Sequence, residues 1–268
     1  MEVKKALYIS QEIFPYVAST PLAEFCRTLP QSLQERKVEV RTFMPKYGSI
    51  NERRNQLHEV LRLSGVNIPI NDIDHPLIIK VATLQPSRLQ VYFIDNEDFF
   101  FRHASTALEI NEYQGDNDER ITFFALGVLE TARKLRWYPE IIQCTGWATA
   151  IAPLLIRTKY ADDPAVKDSK LVFTLFNDKF EGALDPALPS KLAMLGIPAQ
   201  AYAAIDGGAP IDHAAICHLA IDHADAIAVG SEGVDPELIA YAQASGKPFL
   251  PYSAENQNQA FSNFYSTL

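Results

Sequence analysis

Three side chains with hydrogen-bonding groups come directly after short apolar runs: Asp95, Asn96 and Asn177. If these runs are strands of a parallel sheet, their carboxyl ends meet in the crevice where α/β proteins bind ligands. Carboxylate and amide groups in that crevice can form hydrogen bonds with a polar ligand. Because Asp and Asn also favour tight turns, turn formation and ligand contact both stay open for these residues.

A second group of residues has the types that occur in metal sites: Asp212, His213, Cys217, His218, Asp222 and His223. The pattern predicts a helix here, and residues five apart on a helix are turned roughly 140° from each other. His213 and Cys217 share a face, but two ligands do not make a structural zinc site. We therefore expect no metal.

The cysteines predict neither a disulfide framework nor a reactive nucleophile. The chain has 3 cysteines at wide spacing, which fits reduced thiols and a cytoplasmic location. Cys144 has no histidine near it in sequence to activate it, so we expect a packed thiol. No Gly-x-Gly-x-x-Gly pattern follows an apolar run, and we expect no cofactor.

Charge and hydropathy exclude two classes of partner. The 268 residues carry a formal net charge of −9, which would repel the phosphate backbone of a nucleic acid. The cationic groups around Arg53 and Arg133 are short enough to be solvated helix faces. No apolar run approaches the roughly 18 to 20 residues of a membrane-spanning helix, so neither nucleic acid nor a membrane is expected as a partner.

Short apolar runs alternate with helical patterns along the chain, which is typical of parallel strands joined by crossover helices. Most runs lack polar positions, as expected of strands covered on both faces. The sequence predicts an α/β fold with a single Rossmann-like, doubly wound parallel sheet, in one domain spanning residues 1–268. The segments 51–74 and 181–208 are expected to be insertions without strands. The predicted strands are 6–9, 38–43, 77–84, 89–94, 141–144, 171–176, 226–229 and 248–250.

Capping residues indicate where two helices begin. Thr20 suits the N-cap of one helix, and Pro21 suits its first position. Asp116 and Glu119 have the spacing of a capping box at the start of another.

The last part of the chain has two further helical patterns. One covers about 211–223. Aromatic residues at helical spacing, Phe261, Phe264 and Tyr265, predict a docking helix within about 253–268.

Several segments of the chain carry a second kind of information. They are Ser10-Gln11-Glu12-Ile13-Phe14-Pro15-Tyr16, Met44-Pro45-Lys46-Tyr47-Gly48-Ser49-Ile50, Tyr92-Phe93-Ile94-Asp95-Asn96, Asp116-Asn117-Asp118-Glu119-Arg120 with Phe123-Phe124, Trp147-Ala148-Thr149-Ala150, and Phe173-Thr174. In this order they resemble the N-terminal catalytic domain of bacterial glycogen and starch synthases. The resemblance implies the N-terminal half of a glycosyltransferase B fold, whose active site lies between two Rossmann-like halves. It also implies an enzyme that transfers glucose from ADP-glucose to an α-1,4-glucan.

The first loop of that family has the form Lys-Thr-Gly-Gly-Leu, and the matching residues here are Ala18, Ser19, Thr20, Pro21 and Leu22. In the family, lysine supplies charge to the departing diphosphate, and the glycines let backbone N–H groups approach it. Ala18 brings no charge, Thr20 brings a β-branched side chain, and Pro21 has no N–H. We therefore expect a capped helix start that cannot cradle a diphosphate.

A second family motif, His-x-His-Asp-Trp-His-Thr, has lost its histidines and its aspartate here. Groups that could contact the glucosyl unit as charge develops are thereby removed. The tryptophan survives as Trp147, which can stack on a sugar or pack in the core, and core packing is expected. The substituted positions are Gln143, Thr145, Gly146 and Ala148.

A third family segment, similar to Phe-Thr-Ile-His-Asn-Leu, ends here in Phe176, Asn177 and Asp178. The histidine has become Phe176, whereas the asparagine remains as Asn177. The sequence leaves no residues for the second half of the enzyme, and the closing strand and helix lead us to expect a complete chain without that domain.

These losses favour a non-catalytic, glycogen synthase-like protein of glucan metabolism, without catalytic residues of its own. Its partners would be an α-glucan, another protein or a second copy of the chain, bound through the face that once formed the cleft. One alternative is a hexosyltransferase that uses ADP-glucose once a second chain completes its site, and another is a purely structural or assembly protein. The candidate ligand face comprises Tyr16, Asp95, Asn96, Trp147, Thr149 and Asn177.

Overall fold

The computed structural model describes residues 3–101 and 115–268, and its centre is a mostly parallel sheet. From one edge to the other, the strand order is β10-β9-β8-β7-β1-β2-β6-β5-β3, and β4 pairs with β5. The strands are β1 (Lys5–Ser10), β2 (Glu39–Pro45), β3 (His58–Glu59), β4 (Val66–Ile70), β5 (Ile73–Leu84), β6 (Leu89–Asp95), β7 (Ile141–Thr145), β8 (Lys170–Leu175), β9 (Ala226–Val229) and β10 (Phe249–Leu250).

The parallel part of the sheet reverses its winding direction beside β1. The chain runs outward from β1 through β2 and β6, then returns to place β7 on the other side of β1 and continues through β8, β9 and β10. All of these neighbours are parallel. The carboxyl ends of β1 and β7 therefore flank the switch point, where open α/β sheets form their ligand crevice. The doubly wound α/β fold expected from the sequence is confirmed.

One edge of the sheet differs from the fully parallel expectation. Strand β5 is antiparallel to β6, because the four residues between Leu84 and Leu89 are too few for a crossover helix. The segment 51–74 was also wrongly expected to lack strands, since it contains β3 and most of a hairpin formed by β4 and β5. That hairpin turns at Asn71 and Asp72, both with positive φ, as a type I′ turn requires.

Two separate groups of contacting helices cover the sheet, as expected for its two faces. In one group, helices α1 and α8 contact each other. In the other group, α3 contacts α4, α4 contacts α6, and α6 contacts α7. The helices are α1 (Pro21–Glu35), α2 (Glu97–Phe100), α3 (Asn117–Leu135), α4 (Ile151–Arg157), α5 (Leu188–Met194), α6 (His213–His223), α7 (Pro236–Ala244) and α8 (Gln257–Thr267), with 3₁₀ helices at Trp147–Thr149 and Ala199–Ile205.

The predicted helix caps have different outcomes. The Thr20 hydroxyl accepts a hydrogen bond from the Ala23 N–H at 3.0 Å, as expected of an N-cap. The capping box at Asp116 is wrong: its side chain makes no cap hydrogen bond, because its backbone is not in the extended conformation that aims a capping side chain. Glu119 instead forms an ion pair with Lys191 at 2.7 Å.

The tail helix α8 docks on the sheet through buried aromatic and polar contacts. Phe261 and Tyr265 are buried. The Tyr265 hydroxyl donates to Gln143 Oε1 at 2.9 Å and lies 3.1 Å from the Tyr8 hydroxyl. Burial is the main cause that raises the pKa of Tyr265 well above the ordinary tyrosine value.

Thiols and hydropathy add two further observations. The cysteines Cys26, Cys144 and Cys217 are free and buried. Burial raises the pKa of Cys26 to about 12. None of the helices in residues 3–101 and 115–268 is long and apolar enough to cross a membrane.

Candidate functional site

A cavity of about 630 Å³ lies at the carboxyl ends of β1, β8 and β9. The start of α1 and the segment that leads into α8 form its other walls. Tyr252 comes from that segment, and Gln257 is the first residue of α8. Gln257 Nε2 donates to the Gly230 carbonyl at 2.7 Å, which ties the wall to the end of β9. The cavity therefore occupies the sheet edge at which α/β proteins bind ligands.

Carboxylates dominate the charge of this cavity. Among the residues the structure describes, no lysine, arginine or histidine belongs to its lining. A nucleoside diphosphate would meet like charge here rather than the cations that such ligands require. The lining carboxylates are Glu12, Glu24, Asp178 and Glu232.

The chain itself caps one N–H group at the N-terminus of α1 and places carboxylates beside it. The Thr20 hydroxyl, which caps the helix, donates to Glu12 Oε2 at 2.8 Å. Glu24 lies in the first turn and accepts from the Ser19 hydroxyl at 2.8 Å. Pro21 supplies no N–H at the first position. The capped helix start expected from the sequence is thus present, and carboxylates that the sequence did not predict lie beside this positive end of the helix dipole.

The turn after β7 is filled in a similar way. Two backbone N–H groups there donate to side chains: that of Trp147 to Asp178 Oδ2 at 2.9 Å, and that of Ala148 to Gln11 Oε1 at 3.1 Å. Gly146 has φ +82°, and a Cβ atom at this residue would lie 2.5 Å from Gln11 Oε1 and 2.6 Å from Asp178 Oδ2. The position where the family motif has an aspartate side chain is thus occupied by a carboxylate from the neighbouring strand end.

Asp178 also links this turn to helix α6. Its Oδ1 atom lies 3.4 Å from His213 Nε2, and the side chains of both residues are almost fully buried. His213 in turn lies 3.8 Å from Cys217 Sγ, in line with the shared helix face predicted for them. No group in the described part of the chain has the three ligands that a metal ion needs.

One member of the predicted ligand face, Asn177, lines the cavity, and two others lie in the short 3₁₀ helix after β7. Asn177 is exposed and belongs to its lining, and its backbone N–H donates to the Ser231 hydroxyl at 3.0 Å. Trp147 is fully buried against the ring of Phe180 at 4.4 Å, so it packs in the core as expected. Thr149 is fully buried as well, and its hydroxyl donates to the Gly146 carbonyl at 2.8 Å.

The other three members lie apart from the cavity and have structural contacts. Tyr16 packs edge-on against Phe93. Asp95 forms an ion pair with Lys80 at 2.7 Å. Asn96 caps α2 by accepting from two backbone N–H groups, so helix capping explains this residue. The six residues are not brought together, because β6 lies on the opposite side of β1 from β8 and β9.

Sequence reasoning missed the acidic residues that define the cavity. Glu12 and Asp178 lie within segments that resemble the family, but neither was predicted as part of the candidate ligand face. The signal for both was their position a few residues beyond a strand end, the same signal that selected Asn177. Glu232 follows β9 in the same way.

Comparisons with known proteins identify the family and the fold of the chain. Residues 5–247 match the family described as "Starch synthase catalytic domain". A glycogen synthase from Pelodictyon phaeoclathratiforme is 35% identical over 237 residues, which are 88% of this chain and 47% of that protein. A glycogen synthase from Chlorobium luteolum is 41% identical over 184 residues, which are 67% of this chain and 37% of that protein. The chain thus spans about half the length of these relatives, or less.

A solved structure supports the fold. The catalytic domain of Starch Synthase IV from Arabidopsis thaliana, bound to ADP and acarbose, superposes with a TM-score of 0.70 at 18% identity. The match covers 94% of this chain and 51% of that one, so it again falls on about half of the larger protein.

Proposed function

Since the chain belongs to the starch synthase catalytic domain family, we propose that it is a non-catalytic, glycogen synthase-like protein that binds an α-glucan. In this proposal it acts as a single domain in the cytoplasm, where its free cysteines stay reduced. The cavity at the ends of β1, β8 and β9 is the binding site.

The charge of the cavity is the observation that carries this proposal. Transfer from ADP-glucose develops negative charge on a departing diphosphate, which must be met by cations or free N–H groups. Here the lining holds carboxylates, and at the start of α1 Thr20 caps one N–H group while Glu12 and Glu24 lie beside it. Loss of one well-placed donor typically costs about two to three orders of magnitude in rate, so the combined losses remove catalysis.

The same groups suit an uncharged sugar. A carboxylate accepts hydrogen bonds from hydroxyl groups, and a side-chain amide can accept or donate them. Asp178 and Asn177 supply these two groups at the end of β8. The half-buried ring of Tyr252 offers apolar surface for the face of a sugar ring. The starch synthase from Arabidopsis was solved with both ADP and acarbose. For this chain we propose a ligand of the second kind alone, because the described lining of the cavity holds carboxylates and no cation for a diphosphate.

The test combines binding with activity. Isothermal titration of the purified chain with maltotriose and maltoheptaose should give heat of binding, whereas ADP and ADP-glucose should give none. Incubation with labelled ADP-glucose and glycogen should transfer no label. Absence of maltooligosaccharide binding would overturn glucan recognition, and measurable transfer would overturn the loss of catalysis.

A second candidate function follows from membership of the starch synthase catalytic domain family. In this alternative the chain is one part of a two-chain glucosyltransferase that uses ADP-glucose, and a separate protein or a second copy completes its site. Under this alternative, the chain mixed with glycogen synthase-deficient cell extract should transfer no label. Transfer should appear when that extract is replaced by one that contains the partner, and it should require both the chain and the partner.

A further inference from the structure

We infer that Asp178 determines which ligands the cavity accepts, by favouring an uncharged sugar over its phosphorylated form. This inference rests on the proposed glucan binding. Asp178 differs from the family segment, which has leucine at this position. In the family, the aspartate of the motif after the preceding strand supplies a carboxylate, and this chain has Gly146 at that position. The carboxylate near this turn therefore comes from the end of β8 in this chain, instead of the end of β7 as in the family motif.

The geometry shows that the two positions compete for one space. A Cβ atom on residue 146 would lie 2.6 Å from Asp178 Oδ2, too close for both side chains to be present. Only a glycine at residue 146 leaves room for the carboxylate, and the positive φ of that residue suits glycine as well. The pair thus forms one arrangement in which Asp178 takes over the carboxylate position.

Two contacts hold the Asp178 carboxylate in place. The Trp147 N–H donates to Oδ2 at 2.9 Å, and His213 Nε2 lies 3.4 Å from Oδ1. A carboxylate has about four lone-pair sites, so these contacts leave acceptor capacity for a hydroxyl group. Because Asp178 also lines the cavity, that capacity is available to a bound sugar.

Burial makes the charge effective. The Asp178 side chain is 9% exposed, so its field within the cavity is screened less than that of a surface carboxylate. A sugar hydroxyl can donate to this oxygen, whereas a phosphate group brings like charge and at neutral pH has few protons to donate. Asp178 therefore attracts one form of a sugar and repels the other.

The experiment compares matched ligands on matched variants. Affinities of maltose and maltose 1-phosphate, with glucose and glucose 1-phosphate as a second pair, are measured by titration for the wild-type chain, Asp178→Asn and Glu181→Gln. Asp178→Asn keeps the side-chain shape and an acceptor for the Trp147 N–H. Glu181→Gln removes the same charge from an exposed residue of the same loop outside the cavity.

We expect the wild-type chain to bind the neutral sugar more tightly than the phosphorylated one. In Asp178→Asn, the affinity for the neutral sugar should fall by about tenfold, as expected when a charged acceptor is lost. The ratio of the affinities for the neutral and the phosphorylated sugar should also decrease in Asp178→Asn. In Glu181→Gln, both affinities should equal those of the wild type. Asp178→Glu, which keeps the charge, should retain the preference if it folds with an unchanged melting temperature.

The outcomes separate the two proposals. If the wild type binds neutral sugars and Asp178→Asn discriminates equally well, the role of Asp178 is overturned while glucan binding stands. If folded wild-type protein binds neither sugar, the proposed function fails. Preference of the wild type for the phosphorylated sugar would overturn the inference and leave binding at this site intact.

Discussion

The ring of Phe176 occupies the space that a side chain at Gly230 would need. A Cβ atom on residue 230 would lie 2.1 Å from Phe176 Cζ, far inside van der Waals contact. The ring also packs edge-on against Phe25 at 5.2 Å. Phe176 stands where the family segment has a histidine, so this large apolar ring is accommodated by a glycine at the end of the neighbouring strand β9.

A double-mutant cycle tests this relationship. Gly230→Ala alone should destabilise the fold by about 2 kcal/mol or more, because the core must shift to accept the methyl group. In a Phe176→Ala background the same change should cost little, since the competing ring is gone. Chemical denaturation of the wild type, both single variants and the double variant gives the coupling free energy. Strict additivity of the two changes would contradict the overlap.

Gly146 should be more sensitive to substitution than another glycine with the same backbone conformation. Gly146→Ala introduces a Cβ within 2.6 Å of two side-chain oxygens, in addition to the cost of a positive φ. Gly196 has φ +79° with nothing within 4 Å of an added Cβ, so Gly196→Ala measures the backbone cost alone, about 1 kcal/mol.

We expect the loss of unfolding free energy to be at least about 2 kcal/mol larger for Gly146→Ala than for Gly196→Ala, from denaturant titrations of both variants. Equal losses would mean that Gln11 and Asp178 move aside freely. That result would also weaken the interpretation that Asp178 is held in place.

Some of this architecture was predictable from sequence and some was not. The central strands were predicted because their short apolar runs have almost no polar interruptions, and Thr20 was predicted as a cap because its side chain has a local role. The β4–β5 hairpin was missed because Pro69 interrupts an otherwise alternating pattern, and proline argues against a strand. Only the pairing with β5 shows that β4 is an edge strand that tolerates it.

The candidate site was harder to predict because its residues meet through tertiary contacts. Family motifs correctly indicated which groups are lost, since each is read at one position. They gave no sign that Asp178 would fill the space in front of Gly146, because that contact joins residues 32 apart on different strands and depends on the twist and spacing of the sheet. Asp95 and Asn96 satisfied the same strand-end rule but lie at β6, on the far side of β1.

The hydroxyl of Tyr265 should contribute to docking of α8. Tyr265→Phe removes its hydrogen bond to Gln143 and its contact with Tyr8, leaving buried polar groups without a partner at a cost of about 1 to 3 kcal/mol. Tyr138→Phe is the matched control, since Tyr138 is 52% exposed and should change stability by less than about 0.5 kcal/mol. Both values come from denaturant unfolding, and equal effects would argue against a structural role for the buried hydroxyl.

Alkaline pH should destabilise the fold through its buried thiols. Burial raises the pKa of Cys26 from 9.0 to about 12, so the folded protein retains this proton where the unfolded chain has lost it. The native state then binds more protons than the unfolded state, and the free energy of unfolding falls as pH rises from about 9 towards 12. Below that window the thiol is protonated in both states and contributes no pH dependence.

The measurement is the denaturation midpoint at pH 8, 9.5 and 10.5 for the wild type and Cys26→Ala. The variant should start from a lower stability because of the lost packing, but should decline less steeply with pH. Thiol titration offers a second readout: at pH 8 the native thiols should react far more slowly with an alkylating reagent than the unfolded ones. Parallel pH profiles of the two proteins would contradict the assignment to Cys26.

The cavity has walls from both ends of the chain, because Glu12 follows the first strand and Gln257 begins the last helix. A molecule that contacts both Gln257 and the strand ends should therefore stabilise the docked position of α8, and docking of α8 should strengthen its binding to the same extent, by reciprocal linkage. Occupancy should slow cleavage of the final segment by proteases. The fold thus couples the docking of α8 to occupancy of the cavity.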